Sequence, residues 1–277
     1  MANISHYLQI NTALTRTLLV NFIRDEVQRV GLQQAVVGLS GGIDSALTCL
    51  LASEALGPEN VLAVCLPYCT SSPQSREHAR LIIEQTGVRS ETFDITAMVA
   101  PLLDTIPPQE VKRIGNIMAR ARMIVLFDRS AALPGLVIGT ANKSEVLLGY
   151  TTLYGDAAAA LHPLGDLYKT QVRQLACAMG VPAVIADKAP SADLWPGQTD
   201  EAELGFTYEE VDRLLSLLVD QHYLPEECVA CGFERRFVET VLERVRQNQF
   251  KRILPLIAKL SPRTVGYDFR YLRDWGT

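Results

Sequence analysis

A run of two glycines, two serines and an aspartate carries the clearest chemical signal in the sequence. Leu39-Ser-Gly-Gly-Ile-Asp-Ser45 follows a short apolar run and precedes an amphipathic segment, which predicts a turn from a strand into a helix. Glycines let the backbone turn sharply and bring its N–H groups close to an anion, and a helix N-terminus adds positive potential. Ser40 and Ser45 add hydroxyl donors, and Asp44 could hold a metal ion beside phosphate groups. The stretch therefore predicts a phosphate-binding loop.

This loop differs from two common nucleotide-binding loops. It has no lysine directly after its last glycine, as a Walker loop requires. It also lacks the G-x-G-x-x-G spacing of the dinucleotide-binding fingerprint. A simple turn between a strand and a helix would explain Gly41 and Gly42, but not the serines and the aspartate around them.

The elements that would position the loop alternate between apolar runs and amphipathic segments. The apolar runs predict strands buried on both faces of a parallel sheet, at 35–39, 61–66, 90–94 and 136–138. The amphipathic segments predict helices at 11–30, 44–56, 75–85 and 108–132. Because strand–helix–strand units of this length make right-handed crossovers, the predicted fold class is α/β, a three-layer sandwich with a parallel sheet.

The sequence changes character after Gly139. Helices are predicted at 167–179, 207–221 and 234–249, without comparable strands between them. A length of 277 residues allows one large or two small domains. We interpret residues 1–277 as a single domain, with an α/β core at about 30–190 and a helical C-terminal extension at about 191–277.

Composition and charge narrow the environments in which the chain could work. Its hydrophobic residues make up 48% of the total, as in ordinary globular proteins, and its net charge of −5 opposes binding to a nucleic-acid backbone. No segment has the roughly 18 consecutive apolar residues of a membrane span, and the first residues lack a signal-peptide pattern. We therefore expect a cytoplasmic protein with reduced cysteines and with no nucleic-acid or membrane partner.

The glycine-serine loop resembles the SGGxDS pyrophosphate loop of the ATP pyrophosphatases. Those enzymes cleave ATP between the α and β phosphates and adenylate a carboxylate or carbonyl oxygen. Within that group, the chain is similar to the NAD synthetases from about Leu8 onwards. The stretches that carry this similarity are Gly115–Met123, Gly139–Tyr150, Tyr154–Asp156, His162–Val172, Pro190–Leu194 and Asp200–Gly205.

The resemblance implies a fold of the adenine nucleotide alpha hydrolase type and a defined reaction. ATP-dependent amidation of nicotinate adenine dinucleotide would give NAD through an adenylate, with release of AMP and pyrophosphate and with Mg²⁺ as cofactor. The sequence leaves no room for the additional N-terminal amidase domain of the glutamine-dependent branch. We therefore expect the ammonia-dependent form, which would use free ammonia or ammonia from a separate amidase.

The resemblance also assigns roles to individual residues. Asp44 and Glu145 would hold magnesium, and Asp44, Lys169 and Asp156 would be catalytic. The residues that would bind ATP are Gly38, Leu39, Ser40, Gly41, Gly42, Ile43, Asp44, Ser45, Thr140, Lys169 and Ser191. The residues that would bind the dinucleotide are Arg120, Arg122, Asp156 and Lys251. In NAD synthetases the helix that corresponds to 108–132 lines a two-fold interface, so we expect a homodimer.

Two positions depart from the family pattern. Ala157–Ala160 replaces glycines and a further aspartate, so we expect weaker capture of ammonium near Asp156, with position 160 facing the ammonia site. Phe250 stands where the family usually has histidine, before Lys251 and Arg252. Both departures concern the placement of the second substrate rather than the binding of ATP.

Two alternative functions remain open from the sequence. Another ATP pyrophosphatase, such as a tRNA thiolase, could use Cys228 and Cys231, although the net charge opposes RNA binding. For this cysteine pair a structural role is favoured, since a zinc site would need two more ligands and His222 is the one histidine nearby. The second alternative is a non-catalytic nucleotide-binding homologue, which the retention of Asp44, Glu145 and Lys169 opposes.

Overall fold

The computed structural model describes residues 4–269, apart from residues 192, 194, 196, 254 and 267. Among these residues a parallel sheet has the strand order β3-β2-β1-β4. Its strands are β1 (Gln34–Gly38), β2 (Val61–Cys65), β3 (Arg89–Thr92) and β4 (Gly135–Ile138). The predicted α/β class with a parallel sheet is confirmed, and the structure shortens the predicted third strand from 90–94 to Arg89–Thr92.

Helices lie along the chain between and after these strands. In the N-terminal half they are α1 (Thr12–Arg29), α2 (Ile43–Leu56), α3 (Pro73–Thr86), α4 (Thr96–Leu103) and α5 (Val111–Ala132). In the C-terminal half they are α6 (Lys143–Leu148), α7 (Lys169–Ala178), α8 (Ala183–Ala186), α9 (Asp200–Leu204), α10 (Tyr208–Leu215), α11 (Pro225–Ala230) and α12 (Arg235–Gln247). Short 3₁₀ turns occupy Ile4–Leu8, Pro58–Asn60 and Gln249–Arg252. No helix in the described part of the chain has the length and apolar character needed to cross a lipid bilayer.

The strands are continuously apolar because both faces of the sheet are covered. Ala35 and Val37 of β1 pack into a core with α1, α2, α3 and α7. Val36, between them, points to the other face, where it packs with Val125 of α5. Helices therefore cover both faces of the sheet, which gives the three layers of the predicted sandwich. Strand β3 differs, since its four residues are exposed and polar, as suits an edge strand.

The C-terminal helices share a separate core with neighbouring elements. Helix α10 packs against α6, α7 and the 3₁₀ turn Ile4–Leu8, and α12 packs against α6. The buried side chains include Leu148, Tyr168 and Tyr208. The predicted helix at 207–221 is interrupted, since α10 ends at Leu215 and a π-helical turn covers Ser216–Asp220. The extension therefore covers the helices that border the carboxyl ends of the strands.

Short helices account for most of what the sequence pattern missed. Helices α4, α8, α9 and α11 have eight residues or fewer, and α4 contains Pro101. Such segments hold too few turns to show a helical period. Helix α5 begins at Val111 rather than at Pro108, after Glu110 in a non-helical conformation.

Gly41 is fixed by two independent constraints. Its φ of +79° lies in the left-handed region, and a Cβ atom there would come within 2.1 Å of the carbonyl oxygen of Ser75 in α3. Gly87, which ends α3, has a similar φ of +70°, but a Cβ atom there would meet nothing within 4 Å. The close approach of α3 therefore requires glycine at position 41 beyond the conformational requirement.

We predict different costs for alanine at these two glycines. Gly87→Ala should lower the free energy of unfolding by about 1 kcal/mol, the cost of a left-handed conformation. Gly41→Ala should cost about 1–3 kcal/mol more, because α3 must also move. Urea unfolding of the two variants measures this difference. Equal costs would show that α3 does not press on the loop.

Candidate active site

The carboxyl ends of β1 and β4 open into a cavity of about 550 Å³. The strand order places β2 and β4 on opposite sides of β1, so the chain changes direction between β1 and β4. Ligands of open α/β sheets bind at such switch points, outside the carboxyl ends of the strands. The lining includes Leu39 after β1 and Thr140 after β4, together with residues from α5, α7 and α9.

The predicted phosphate loop forms one wall of the cavity. Every residue of 38–45 except Gly41 lines it. Ser40 and Ser45 shape the loop, since their hydroxyl oxygens lie 3.0 Å apart and the Ser45 hydroxyl donates to the carbonyl of Gly42 at 3.0 Å. The N-cap of α2 is Gly42, which has no side chain to cap the helix, and its own N–H donates to the Ser40 hydroxyl at 3.3 Å. Backbone N–H groups and the helix dipole are therefore directed toward an anionic ligand.

Three charged side chains meet beside this loop. The ammonium of Lys169 donates to Asp44 Oδ2 and, over 3.2 Å, to Glu145 Oε1. Asn142 Nδ2 donates to the second oxygen of Asp44 at 2.9 Å. Only 2% of the Lys169 surface is exposed. The structure thus brings together the predicted magnesium ligands and the predicted catalytic lysine.

Local structure explains how Glu145 and Lys169 reach each other. The Asn142 side chain caps α6 by accepting from the Glu145 N–H, and the Glu145 carboxylate accepts from the Asn142 N–H at 3.3 Å, so the capping box fixes the glutamate. Lys169 is the first residue of α7, where the helix dipole disfavours a cation. The two carboxylates offset this disadvantage.

Burial and charge shift the proton affinities of this cluster. Burial opposes the charge of Lys169, but Asp44 and Glu145 outweigh it and raise the pKa of the lysine above its usual value. Burial raises the pKa of Glu145 as well, an effect that the Lys169 charge opposes. The lysine therefore remains protonated, with its ammonium held between two carboxyl groups.

Two further cavity-side groups have no counterpart in the sequence-based assignments. Asp200, the first residue of α9, is buried and lines the cavity, and the hydroxyl of Tyr208 donates to it over 3.4 Å. The Lys169 ammonium lies 5.4 Å from the centre of the Tyr208 ring. Burial raises the pKa of Asp200, while Lys169 lowers it. Asp200 begins the stretch Asp200–Gly205 that carries the family resemblance, but the sequence does not show which residues it contacts and so suggests no role for it.

The predicted substrate residues differ in whether they reach the cavity. Arg122 lines the cavity and donates to the carbonyl of Leu66 at 3.0 Å, whereas Arg120 is exposed and is not among its lining residues. Asp156 lines the cavity and accepts from the N–H of Thr152 at 2.8 Å. Lys251 also lines it, with its ammonium held by the carbonyls of residues 149 and 151 at 2.7 and 2.8 Å.

The segment with Ser191 closes part of the cavity. Ser191 lines it and accepts from the N–H of Asp193 at 3.1 Å. Asp193 in turn accepts from the N–H of Ser72 and the hydroxyl of Ser75, at 3.1 and 3.0 Å. These bonds tie this segment to the start of α3. The remaining positions of the motif, Ala192 and Leu194, lie outside the described residues.

The alanine run does not present position 160 to the cavity. Ala158 lines it, whereas Ala160 is exposed and donates its N–H to the carbonyl of Val137 beside β4 at 2.9 Å. A Cβ atom on Gly139 would come within 2.7 Å of the Ala159 side chain, so that alanine packs against the chain after β4. Position 158 therefore lies at the cavity, and not the position 160 that the sequence suggested.

The cysteine pair lies away from the cavity. Cys228 is fully buried in the core of the C-terminal helices, and Cys231 is half-buried against the same core. Burial raises the pKa of the Cys228 thiol to about 11, which disfavours the thiolate that sulfur chemistry requires. Neither residue lines the cavity, which supports the structural interpretation over a thiolase role.

Comparisons with known proteins identify the family of the chain. The sequence profile of NAD synthase matches residues 16–255. A relative from Trichlorobacter lovleyi, named NH(3)-dependent NAD(+) synthetase, is 59% identical over 97% of this chain and 98% of the relative. The structure of NH3-dependent NAD synthetase from Campylobacter jejuni matches with a TM-score of 0.78 and 31% identity, over 90% of this chain and 100% of that chain. NMN synthetase from Francisella tularensis matches with a TM-score of 0.78 and 33% identity, over 90% and 99% of the two chains. Because the family profile covers most of the chain and these relatives match it over nearly its whole length, the chain belongs to the NAD synthase family.

Proposed function

We propose that the chain amidates nicotinate adenine dinucleotide to NAD with ATP and ammonia, and releases AMP and pyrophosphate. The observation that carries this proposal is the contact of Lys169 with Asp44 and Glu145 beside an open phosphate loop. A carboxylate that must attack a triphosphate needs negative charge to be neutralised at the point of transfer. The cluster supplies a fixed cation there, and the relatives' names give the substrate class.

The reaction divides into two steps at this site. First, the nicotinate carboxylate attacks the α-phosphorus of ATP, and pyrophosphate leaves. The N–H groups and hydroxyls of residues 40–45 would hold the departing phosphates, and Lys169 would stabilise charge on the transferred phosphate. Ammonia then attacks the carbonyl carbon of the adenylate, and AMP leaves. Arg122, Asp156 and Lys251 line the end of the cavity that remains for the dinucleotide.

The residues present suit magnesium. Asp44 and Glu145 offer two carboxylates that already converge on one cation, the Lys169 ammonium. Among the described residues there is no group of three or more metal-ligating side chains. Two carboxylates together with substrate phosphates are the usual magnesium environment in phosphate chemistry. We infer that Asp44 and Glu145 hold Mg²⁺, which would neutralise phosphate charge when ATP is bound.

The extension contributes directly to this cavity. Asp200 and Tyr208 lie beside Lys169, although they belong to α9 and α10. We therefore propose that residues 1–277 act as a single domain. A cytoplasmic location remains a prediction from the sequence.

The substrate assignment is tested by comparing two acceptors. NAD formation from nicotinate adenine dinucleotide should exceed amidation of nicotinate mononucleotide by at least tenfold in kcat/KM, with ammonium as nitrogen source. Glutamine in place of ammonium should give little product. A preference for the mononucleotide would instead assign the activity named for the Francisella tularensis relative.

We predict that the two carboxylates are needed for turnover. Asp44→Asn and Glu145→Gln should each lower kcat about 100-fold, a typical cost of removing one electrostatic group from a reacting centre. Both should also raise the Mg²⁺ concentration for half-maximal activity. The control is Asp166→Asn, because Asp166 is exposed and lies near Lys169 in sequence without lining the cavity. Activity within a few-fold of wild type would remove the carboxylate concerned from the mechanism.

We further propose a homodimer with α5 at its centre. Met118 and Leu126 of this helix pack inward, but Ile124 and Phe127 remain 52% and 41% exposed. Exposed apolar side chains next to each other on one helix favour association with another surface. A two-fold contact would place the same residues from both copies together.

The dimer proposal gives a paired test. Ile124→Glu should produce a monomer at micromolar concentration in light scattering, because two buried charges would face each other across the axis. Leu18→Glu is the control, since Leu18 is 59% exposed on α1, on the opposite face of the sheet. A dimer that survives Ile124→Glu would place the interface elsewhere.

The alanine run gives a prediction for ammonia. Ala158→Asp adds a carboxylate to the cavity near Asp156 and should lower the KM for ammonia several-fold, since one partly solvated charge contact is worth about 1 kcal/mol. The KM for ATP should not change, because Ala158 is not one of the predicted ATP-binding residues. Ala160→Asp, on the exposed side, should leave both constants unchanged. The same decrease in both variants would indicate a general effect of added charge.

A further inference from the structure

A buried carboxylate of the extension connects the two helices that carry Glu145 and Lys169. Asp212 of α10 has no exposed surface. Its Oδ1 accepts from the hydroxyl of Ser144 at 2.5 Å, and its Oδ2 accepts from the N–H of Thr170 at 2.9 Å. Ser144 precedes Glu145 in the first turn of α6, and Thr170 follows Lys169 in the first turn of α7.

A second hydrogen bond completes the connection. The Ser144 hydroxyl oxygen accepts from the N–H of Lys169 at 2.9 Å, so it is bound to α7 and to Asp212 at once. The first N–H groups of a helix have no partner within the helix and need one elsewhere. Asp212 and Ser144 supply partners to the first two N–H groups of α7.

Burying the Asp212 carboxylate costs free energy that the folding of these helices does not by itself require. A buried carboxylate is expensive unless it is fully hydrogen-bonded, and burial raises the pKa of Asp212 to about 6. Both hydrogen-bond partners of Asp212 lie in the first turns of α6 and α7, the helices that carry Glu145 and Lys169, rather than on the extension itself. The position of these bonds therefore points to the site and not to the core of the C-terminal helices.

We propose that Asp212 is a positioning residue for adenylyl transfer, which holds the first turns of α6 and α7 together through Ser144 and Thr170. The consequence is that Glu145 Oε1 stays 3.2 Å from the Lys169 ammonium, without any contact between Asp212 and a substrate. The extension thereby sets the geometry of a site whose reacting groups lie outside it. This inference rests on the proposed function, since the role belongs to that reaction.

Two variants test the connection. Asp212→Asn keeps the shape of the side chain but removes its charge and one acceptor, and Ser144→Ala removes the link to the Lys169 N–H. Each should lower kcat about tenfold to 100-fold, the scale of a misplaced reacting group, while the KM for ammonia stays unchanged. Because both act on one connection, the double variant should lose no more than the more severe single variant.

The control is Ser216→Ala. Ser216 is also a fully buried serine, but within the described part of the chain its hydroxyl donates to the carbonyl of Arg213 in α10, three residues earlier, and not to α6 or α7. Its variant should keep the wild-type kcat, even where its thermal stability falls as much as that of Ser144→Ala. The stoichiometry of binding to a non-hydrolysable ATP analogue, measured by calorimetry, separates a slower site from a smaller fraction of folded protein.

Amide hydrogen exchange provides a readout that does not depend on activity. The N–H groups of Lys169 and Thr170 should exchange faster in Asp212→Asn and in Ser144→Ala than in Ser216→Ala. Wild-type kcat in both variants, or equal losses in all three, would overturn the proposal. If the wild-type chain forms no NAD, the proposed function fails, and hydrogen exchange still shows whether the connection holds α7.

Discussion

A buried ammonium at the N-terminus of a helix is the constraint around which this structure is organised. Lys169 begins α7, where the dipole and the loss of water both oppose its charge. The position is tolerable only because Asp44 and Glu145 meet it from two other elements. Removal of either carboxylate would leave part of that charge uncompensated, so the loop after β1, the cap of α6 and the start of α7 have to be placed together.

The remainder of the fold can be understood as the means of placing these three elements. The switch in strand order opens a crevice where β1 and β4 end, which sets the loop and the cap of α6 side by side. Helix α7 packs on α2 and thereby reaches the same crevice. The C-terminal helices then cover α6 and α7 and bring Asp200, Tyr208 and Asp212 to the lysine. The sheet alone would position the phosphate loop after β1, but not the ammonium of Lys169 in α7.

Which features can be predicted from the sequence depends on how far apart along the chain the interacting residues lie. The loop was recognisable because its glycines, serines and aspartate act within a few residues, and the strands because both of their faces are covered. The role of Asp212 depends on Ser144 and Thr170, which lie 68 and 42 residues away along the chain. That of Asp200 depends on the more distant Lys169 rather than on a neighbour in sequence, so no local pattern contains either role. Arg120 and Arg122 show a related difficulty: they lie two positions apart on one helix, and only the packing of α5 decides that Arg122 enters the cavity. In the same way, the sequence does not show that Ala158, rather than Ala160, lines the cavity.

The raised proton affinity of Lys169 has a consequence for chemical selectivity. In the proposed reaction the site contains an acyl adenylate, an electrophile that any unprotonated amine nearby could attack. A lysine buried beside that intermediate without the two carboxylates would have a lowered pKa, so its free amine would compete with ammonia and form an amide with the enzyme itself. The carboxylates of Asp44 and Glu145 keep the Lys169 nitrogen protonated, so it has no lone pair to offer. The pairing that lets the lysine stabilise phosphate charge thus also protects the enzyme from acylation by its own intermediate.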